Sequence, residues 1–421
     1  MEDHRESAGE DVRMRGFRHR ATVAEALAAA LDGVAPLPAE EVPLAAASGR
    51  VAATRVESEV DVPAFARATM DGYAVRAEDT FGASAYNPVV LALTGEAMPG
   101  RPAAGQVGPG TAWRIMTGAP LPPGADAVVP AEEAGEEGGR VEVRAAAPRG
   151  RHVGRVGEDV RRGEVVVPQG RLLLPQDVAL LSSVGRATVA VARRPRVRVV
   201  VSGNELLAPG IKPEGGRIAD SNGPMLEALV ARDGGVVEES LRLPDDPEAL
   251  RAAMGRPGAD AIITAGAASV GREDWVPPLV AEMGDLRVHG VAMRPSSPTG
   301  VGRIGGVPVL LLPGNPVSCL VAYDFFAGPV IRALGGRPTT WPYPTLVLPL
   351  AGRLVSQIGR TDYALVRVRS GRVEPIAVGG AAVLSSVAAA DGFVVVPPNS
   401  EGYPEGHPVE VHVYRPLETP E

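Results

Sequence analysis

Between residues 196 and 336 the chain three times runs an unbroken Val/Ile/Leu strand into a glycine-rich turn and then a helix. The first unit is RVRVVVSGNEL, with a helix from Ser221 to Asp233. The second is ADAIITAGAASVG, with a helix from Glu273 to Met283. The third is VPVLLLPGNP, with a helix from Val317 to Leu334. Strands without polar alternation belong to a parallel sheet covered on both faces. Alternation of such strands with helices predicts a doubly wound α/β domain. Its ligand binds beyond the carboxyl ends of the strands, and all three glycine-rich turns fall there.

The rest of the chain reads differently. ATVAEALAAAL, from Ala21 to Leu31, has helical spacing and stops at Asp32-Gly33. A weaker helical stretch is expected from Pro38 to Ala47, with Pro43 inside it. From Val51 to Val167 short β-type runs alternate with Gly and Pro clusters, and PQDVALLSSV, from Pro175 to Val184, returns to helix. After a Pro-rich joint at Trp341 to Pro344 come five short strands and no helix, the pattern of a small barrel or sandwich. The expected organisation is α/β multidomain. It comprises a disordered tail (1–20), an elongated segment (21–56 with 160–195), an inserted β-rich domain (57–159), the α/β domain (196–340) and a C-terminal β-barrel (341–421). With 421 residues the chain is too long for one ordinary core.

Composition narrows the function. Charged residues are 22%, the net charge is -8 and aromatics are 4%, which leaves no electrostatic footprint or stacking platform for nucleic acid. One cysteine, Cys319, forbids an internal disulfide and a zinc-thiolate cluster and suits a cytoplasmic setting. The first 20 residues mix both charge signs without an apolar core, so no signal peptide is read there. No membrane span is expected. Basic residues are nearly all arginine, with a single lysine, Lys212.

Five segments are candidates for chemistry. In DVPAFARATMDGYAVR, Asp71 precedes a strand, and a plain turn aspartate is the alternative. In WRIMTGAPLPPGADAVVP, Thr117-Gly118 offers a hydroxyl and an amide to an anion, or is an ordinary turn. In VVVSGNELLAPG, Glu205 stands at the ligand edge of the sheet, or is a solvated loop carboxylate. In ITAGAASVGREDW, small residues admit a phosphate to a helix start, Ser269 adds a donor, and Asp274 is expected in the first helical turn. In LLLPGNPVSCL, Asn315 and Pro316 suit an N-cap and first helical position, as an anion site or as a structural cap. Asp71, Glu205, Asp245 and Asp274 are acidic groups at element ends. Hard carboxylate oxygens suit magnesium, held mainly through one or two carboxylates and substrate phosphates.

The strings MDGYAVR, RIMTGAPLPPGADAVV, GED, SGNEL, SVGREDW and LPGNPVS occur in the order found in the molybdopterin molybdenumtransferases, the MoeA family that includes the gephyrin E domain. The chain resembles that family from Ala21 to its C-terminus. The resemblance implies a MogA-like molybdopterin-binding α/β domain within the architecture above. It also implies a homodimer whose site is shared between subunits. The implied reaction takes adenylylated molybdopterin and molybdate, releases AMP and places molybdenum on the dithiolene sulfurs with Mg2+ assisting. Further implied partners are the molybdopterin adenylyltransferase and recipient molybdoenzymes. Carried over by motif, Asp71, Thr117, Glu205, Asp245 and Asp274 are catalytic, with Glu205 and Asp274 the metal ligands. Asp159, Ser269, Arg294, Ser297, Pro313, Gly314, Asn315, Pro316, Ser318, Arg360 and Ser385 are substrate-binding.

The chain departs from the family where that family commonly shows KPGKP. Here the string is Arg294-Pro295-Ser296-Ser297-Pro298, so the second lysine position is Ser297. A further lysine position falls at Gly290 beside His289, an arginine position at Gly154 beside Arg155, and the SGG string is Ala265-Gly266-Ala267. Molybdate is a dianion and needs cationic or amide donors. An active transferase and a non-catalytic molybdopterin-binding carrier or scaffold are therefore both open, as is a preference for tungstate.

Overall fold

The structure, a computed structural model, describes residues 20–101, 103–267, 274–376 and 383–417. These form two compact units. One holds the described residues up to 40, 49–53 and those from 190 onward; the other holds 41–48 and 54–189.

In the first unit, helix α1 (Val23–Leu31) begins in a capping box between Thr22 and Glu25 and ends at Asp32, with Gly33 at φ +65°. The central sheet is built from β1 (Arg196–Ser202), β2 (Val236–Leu243), β3 (Ala261–Ala265), β4 (Asp285–His289), β5 (Gly300–Ile304) and β6 (Val307–Leu312). Their order across the sheet is β2-β1-β3-β6-β5-β4, parallel through β6 and antiparallel beyond it. Val197, Val199, Val201, Ile263 and Leu310 face one core, while Val200, Ile262, Val309 and Leu311 face another. That two-sided burial is why these strands carry no polar alternation.

Helices cover both faces. α1 and α2 (Asn222–Arg232) belong to the first core, as do α5 (Pro316–Ala322) and α6 (Gly328–Leu334), which a π-helical turn over Tyr323–Ala327 joins. α3 (Pro247–Gly255) and α4 (Val276–Met283) belong to the second. The continuous helix Pro316–Leu334 is long and apolar enough to cross a membrane, but 89% of that stretch is buried inside the protein, as befits a core helix.

The barrel strands are β7 (Thr345–Pro349), β8 (Thr361–Arg369), β9 (Arg372–Pro375), β10 (Gly392–Val396) and β11 (Pro408–Val413). They pair β7-β11-β10-β8-β9, and a bridge from Leu350 to Val373 returns the last strand to the first. A two-residue strand, Met293–Arg294, adds to β8.

The second unit is β-rich. Its six-stranded sheet runs Ala127–Pro130, Gly72–Val75, Thr111–Ile115, Val89–Ala97, Arg140–Val143 and Ala134–Glu137. The first of these strands shows how the sheet packs: Ala127 and Val129 face one core and Val128 the other. The helix Pro175–Ser183 begins at Leu174, whose amide donates to Asp177 at 2.8 Å.

Four expectations need correction. Pro38 to Ala47 is not helical: Ala39–Pro43 is a strand and Leu44–Ala46 one 3-10 turn, because Pro43 has no amide to continue a helix. A fourth parallel strand with its helix, β2 and α3, joins the three recognised units. As an edge strand β2 alternates exposed and half-buried residues (VVEESLRL), so it lacks the apolar run. The C-terminal segment contains a short helix, Leu384–Ala388. Helix α4 starts at Val276, so Asp274 lies two residues ahead of it rather than in its first turn.

Candidate active site

β1 lies between β2 and β3, so the chain's path across the sheet reverses at the carboxyl end of β1. A crevice is expected at such a point. A cavity of about 440 Å³ opens there, between Ser202-Gly203 at the end of β1, Gly266-Ala267 after β3 and Pro313-Gly314 after β6. Gly266 has φ +94°, and a Cβ on it would stand 2.2 Å from the Ser202 carbonyl oxygen. A Cβ on Gly314 would reach the Gly266 Cα at 3.4 Å. The turns thus come together backbone to backbone. Ala267, in the glycine-pair string, takes φ +46°, a conformation that costs an alanine on the order of 1 kcal/mol.

Glu205, Asp245 and Asp274 all line this cavity, joined by Asp220, which sequence reasoning missed. Glu205 is exposed and folds back over Gly203. Asp245 and Asn204 clasp each other: the Asn204 amide donates to Asp245 Oδ2 at 3.3 Å and the Asp245 amide to Asn204 Oδ1 at 3.2 Å. Asp220 accepts the Gly223 amide at 2.9 Å, locking the entry to α2. An aspartate three residues before a glycine at a helix start was the available signal. Among the described residues no three His, Cys, Asp or Glu side chains gather into a metal cage. The donor set is one of hard carboxylate oxygens spread around a cavity. That suits a hydrated divalent cation held largely by a ligand's phosphates rather than by a closed protein shell.

Pro313, Gly314, Asn315, Pro316 and Ser318 also line the cleft. Asn315 Oδ1 accepts the amides of Val317 at 3.1 Å and Ser318 at 3.3 Å. This cap satisfies the amides of Val317 and Ser318 internally, so those two are not left for an anion. Cys319, one turn on, is fully buried, and burial pushes its thiol far above the usual range. It is a packing residue.

A second cavity, about 580 Å³, shares Asn315 and Ser318 with the first. Its walls include Arg294 from the departing loop and Arg353 and Asp362 from the barrel. Arg294 and Arg353 are exposed and make no ion pair among the described residues. Arg353 carried no sequence signal, since it stands in an undistinguished barrel loop. Arg360 is spent on Asp362, Nε to Oδ1 at 2.8 Å. Ser297 and Ser385 line neither cavity. Ser269 lies outside the described residues.

The departing loop has its own architecture. Gly290 has φ +98°, and its carbonyl accepts the Ala21 amide at 3.0 Å. Ser296 takes φ +82°, is buried, and donates from Oγ to the Ser318 carbonyl at 2.6 Å. Thr299 donates from Oγ1 to the Ser296 carbonyl at 2.7 Å. The serine string therefore anchors the loop carrying Arg294 to the start of α5.

Asp71 and Thr117 belong to the second unit. Asp71 Oδ1 accepts the Thr117 amide at 2.6 Å and its hydroxyl at 2.7 Å. These bonds, the amide first, hold the exposed Asp71 carboxyl below its ordinary value. In the same unit a Cβ on Gly154 would meet Glu158 Oε1 at 2.8 Å and Arg67 Cγ at 3.3 Å. Arg67 pairs with Glu158 at 3.0 Å, so an ion pair occupies the space where a side chain at position 154 would begin. Asp159 is exposed, and its amide donates to the Val62 carbonyl at 3.1 Å.

Comparison with known proteins matches three consecutive family descriptions. They are the MoeA N-terminal region (domain I and II) over residues 21–185, a "probable molybdopterin binding domain" over 198–333, and the MoeA C-terminal region (domain IV) over 347–414. The molybdopterin molybdenumtransferase 2 of Mycobacterium tuberculosis is 38% identical over 368 residues, covering 85% of this chain and 90% of that protein. The molybdopterin molybdenumtransferase of Bacillus subtilis is 32% identical over 385 residues, 87% of each chain. The crystal structure of the molybdopterin biosynthesis MoeA protein from Pyrococcus horikosii superposes with a TM-score of 0.81 at 35% identity, covering 95% of this chain and all of that one.

Proposed function

The chain belongs to the MoeA family, and on that premise we propose that it is a molybdopterin molybdenumtransferase of molybdenum cofactor biosynthesis. Its substrates in this reading are adenylylated molybdopterin and molybdate. An oxygen from water or molybdate ends on the phosphorus as the phosphoanhydride breaks, AMP leaves, and molybdenum exchanges two of its oxygens for the dithiolene sulfurs, the displaced oxygens leaving as water or on the phosphate.

The cleft at the end of β1 takes the pterin and its phosphates. Gly266, Ala267 and Gly314 leave the backbone bare enough for close approach. Glu205 and Asp274 would hold Mg2+, which neutralises charge on the phosphate oxygens when bound. Asp245 shapes the cleft through its clasp with Asn204. Arg294 and Arg353 hold the molybdate dianion in the neighbouring cavity, supplying the charge that Gly290 and Ser297 do not. Asp71 and Thr117, in the other unit, are proposed as catalytic on the family resemblance alone, and a homodimer on the same ground. The cytoplasm is the proposed location, in keeping with a chain whose one cysteine is a buried free thiol.

The observation that supports this reading most is the shared wall. A carboxylate-lined cleft and a cavity with two arginines, neither ion-paired among the described residues, meet at Asn315 and Ser318. The test is to incubate purified protein with adenylylated molybdopterin, molybdate and magnesium. AMP and active molybdenum cofactor are the expected products. Tight pterin binding without AMP release is the result expected of a non-catalytic carrier, and it would overturn the transferase reading.

A further inference from the structure

Two neutral polar side chains at the cleft floor are buried with an atom left over. Ser202 is 6% exposed and Asn222 7%, and both line the 440 Å³ cavity. Ser202 Oγ and Asn222 Oδ1 have no hydrogen-bond partner among the described residues. A buried group left in this state bears its full desolvation cost, so the count of such atoms in a folded protein is kept low. Thr264 and Ser297 carry similar orphans, but neither lines this cavity.

The chemistry of the Asn222 orphan follows from the other end of its amide. Asn222 Nδ2 lies 2.7 Å from the Gly314 carbonyl oxygen. Two oxygens at that distance would repel, so nitrogen must face the carbonyl and the unpartnered atom is the oxygen. It can only accept. A phosphate oxygen, itself an acceptor, cannot satisfy it, and neither can a carboxylate. The missing group is a donor, an N–H or O–H. The floor is also continuous: Ser202 packs against Gly266, Gly266 against Gly314, and Gly314 against Asn222. No side chain could be added at Gly266 to reach the orphans, since its Cβ would collide with Ser202.

We propose that Ser202 and Asn222 are substrate-positioning residues that hold the amino-substituted edge of a heterocycle, with Asn222 Oδ1 accepting a ring or amino N–H and Ser202 Oγ bonding beside it. The inference rests on the transferase reading only for the identity of the ligand. Adenylylated molybdopterin carries two such edges, the aminopyrimidinone of the pterin and the amino group of adenine. Acceptors on the floor thus sort the heterocycle from the oxyanion, which goes to the arginines of the second cavity.

Ser202→Ala is the cleanest test, because the hydroxyl it removes has no partner among the described residues. The full-length variant is expected to melt at or slightly above the wild-type temperature. It should bind 6-carboxypterin about tenfold more weakly, the loss typical of one hydrogen bond, with AMP affinity unchanged. KM for adenylylated molybdopterin should rise by the same factor while kcat is held. Asn222→Ala should weaken the same probe at least as much, though it also breaks the bond to Gly314 and so needs its melting temperature measured alongside. If AMP rather than 6-carboxypterin is weakened, the inference stands with adenine on the floor. Unchanged affinity of Ser202→Ala for both probes overturns it, and so does a wild-type protein that binds neither. A wild-type protein that binds the probes but never releases AMP removes the transferase reading while leaving the binding comparison decisive for the floor.

Discussion

Asp71 and Thr117, 46 residues apart, meet at a single oxygen: Asp71 Oδ1 takes both the amide and the hydroxyl of Thr117. Both bonds favour the ionised carboxylate, so the folded-state value lies below the ordinary 3.8. Their contribution is fully present above that ordinary value and is lost as pH falls through the folded one. Thr117→Val keeps the amide and deletes the hydroxyl. Asp71 should then titrate between its wild-type value and 3.8, as read by NMR of the carboxyl carbon. At neutral pH the carboxylate stays charged in both proteins. A drop in kcat there, expected to be roughly tenfold to a hundredfold, therefore reports lost positioning and not lost charge.

Arg294→Ala and Arg353→Ala should each raise the molybdate concentration for half-maximal turnover by about tenfold or more, with 6-carboxypterin affinity unchanged. The double variant should be worse than either. Molybdate titrations at fixed adenylylated molybdopterin measure this. An Arg353→Ala enzyme with wild-type molybdate dependence would remove that residue from the oxyanion site.

Asp274→Ala should abolish AMP release, and Glu205→Gln should shift the magnesium requirement to higher concentration. Wild-type turnover should disappear on chelation and return with added Mg2+. Turnover that survives exhaustive chelation would rule out the cation assignment.

The two cleft glycines should answer differently to alanine. At Gly266 the new Cβ would sit 2.2 Å from the Ser202 carbonyl with φ at +94°. Gly266→Ala should therefore cost about 1–3 kcal/mol and impair pterin binding. At Gly314 the nearest atom is 3.4 Å away, and Gly314→Ala should melt close to wild type. Thermal unfolding of the pair checks the contrast, and equal losses would contradict the backbone contact between these turns.

The parts of this fold legible in sequence are those where burial is two-sided. Val197 to Val201 and Val309 to Leu312 alternate between two cores, so every position but Arg198 is apolar and the strand is plain. Val236–Leu243 faces solvent along one edge and shows no such run. Glu205 and Asp274 could be placed near one another because each follows a recognised parallel strand or its turn, and strand ends of one sheet meet at one edge; Asp245 follows the edge strand that shows no such run. Arg353 had no such marker, since its approach to Arg294's cavity depends on how the barrel folds onto α5. Asp220 and Asn222 stand at the entry to α2, where no ligand motif marks them. Only the 2.7 Å bond to Gly314, which fixes which amide atom is left over, sets Asn222 apart.

The loop that carries Arg294 also governs where further positive charge could be added beside its cavity. Position 290 now has a backbone angle suited to glycine, and Ser296, in the left-handed region, is stitched to the first turn of α5. A lysine placed at Gly290 would sit on a left-handed backbone, whereas one at Ser297 would leave the Ser296 bond to Ser318 in place, so the two positions would accept added charge unequally.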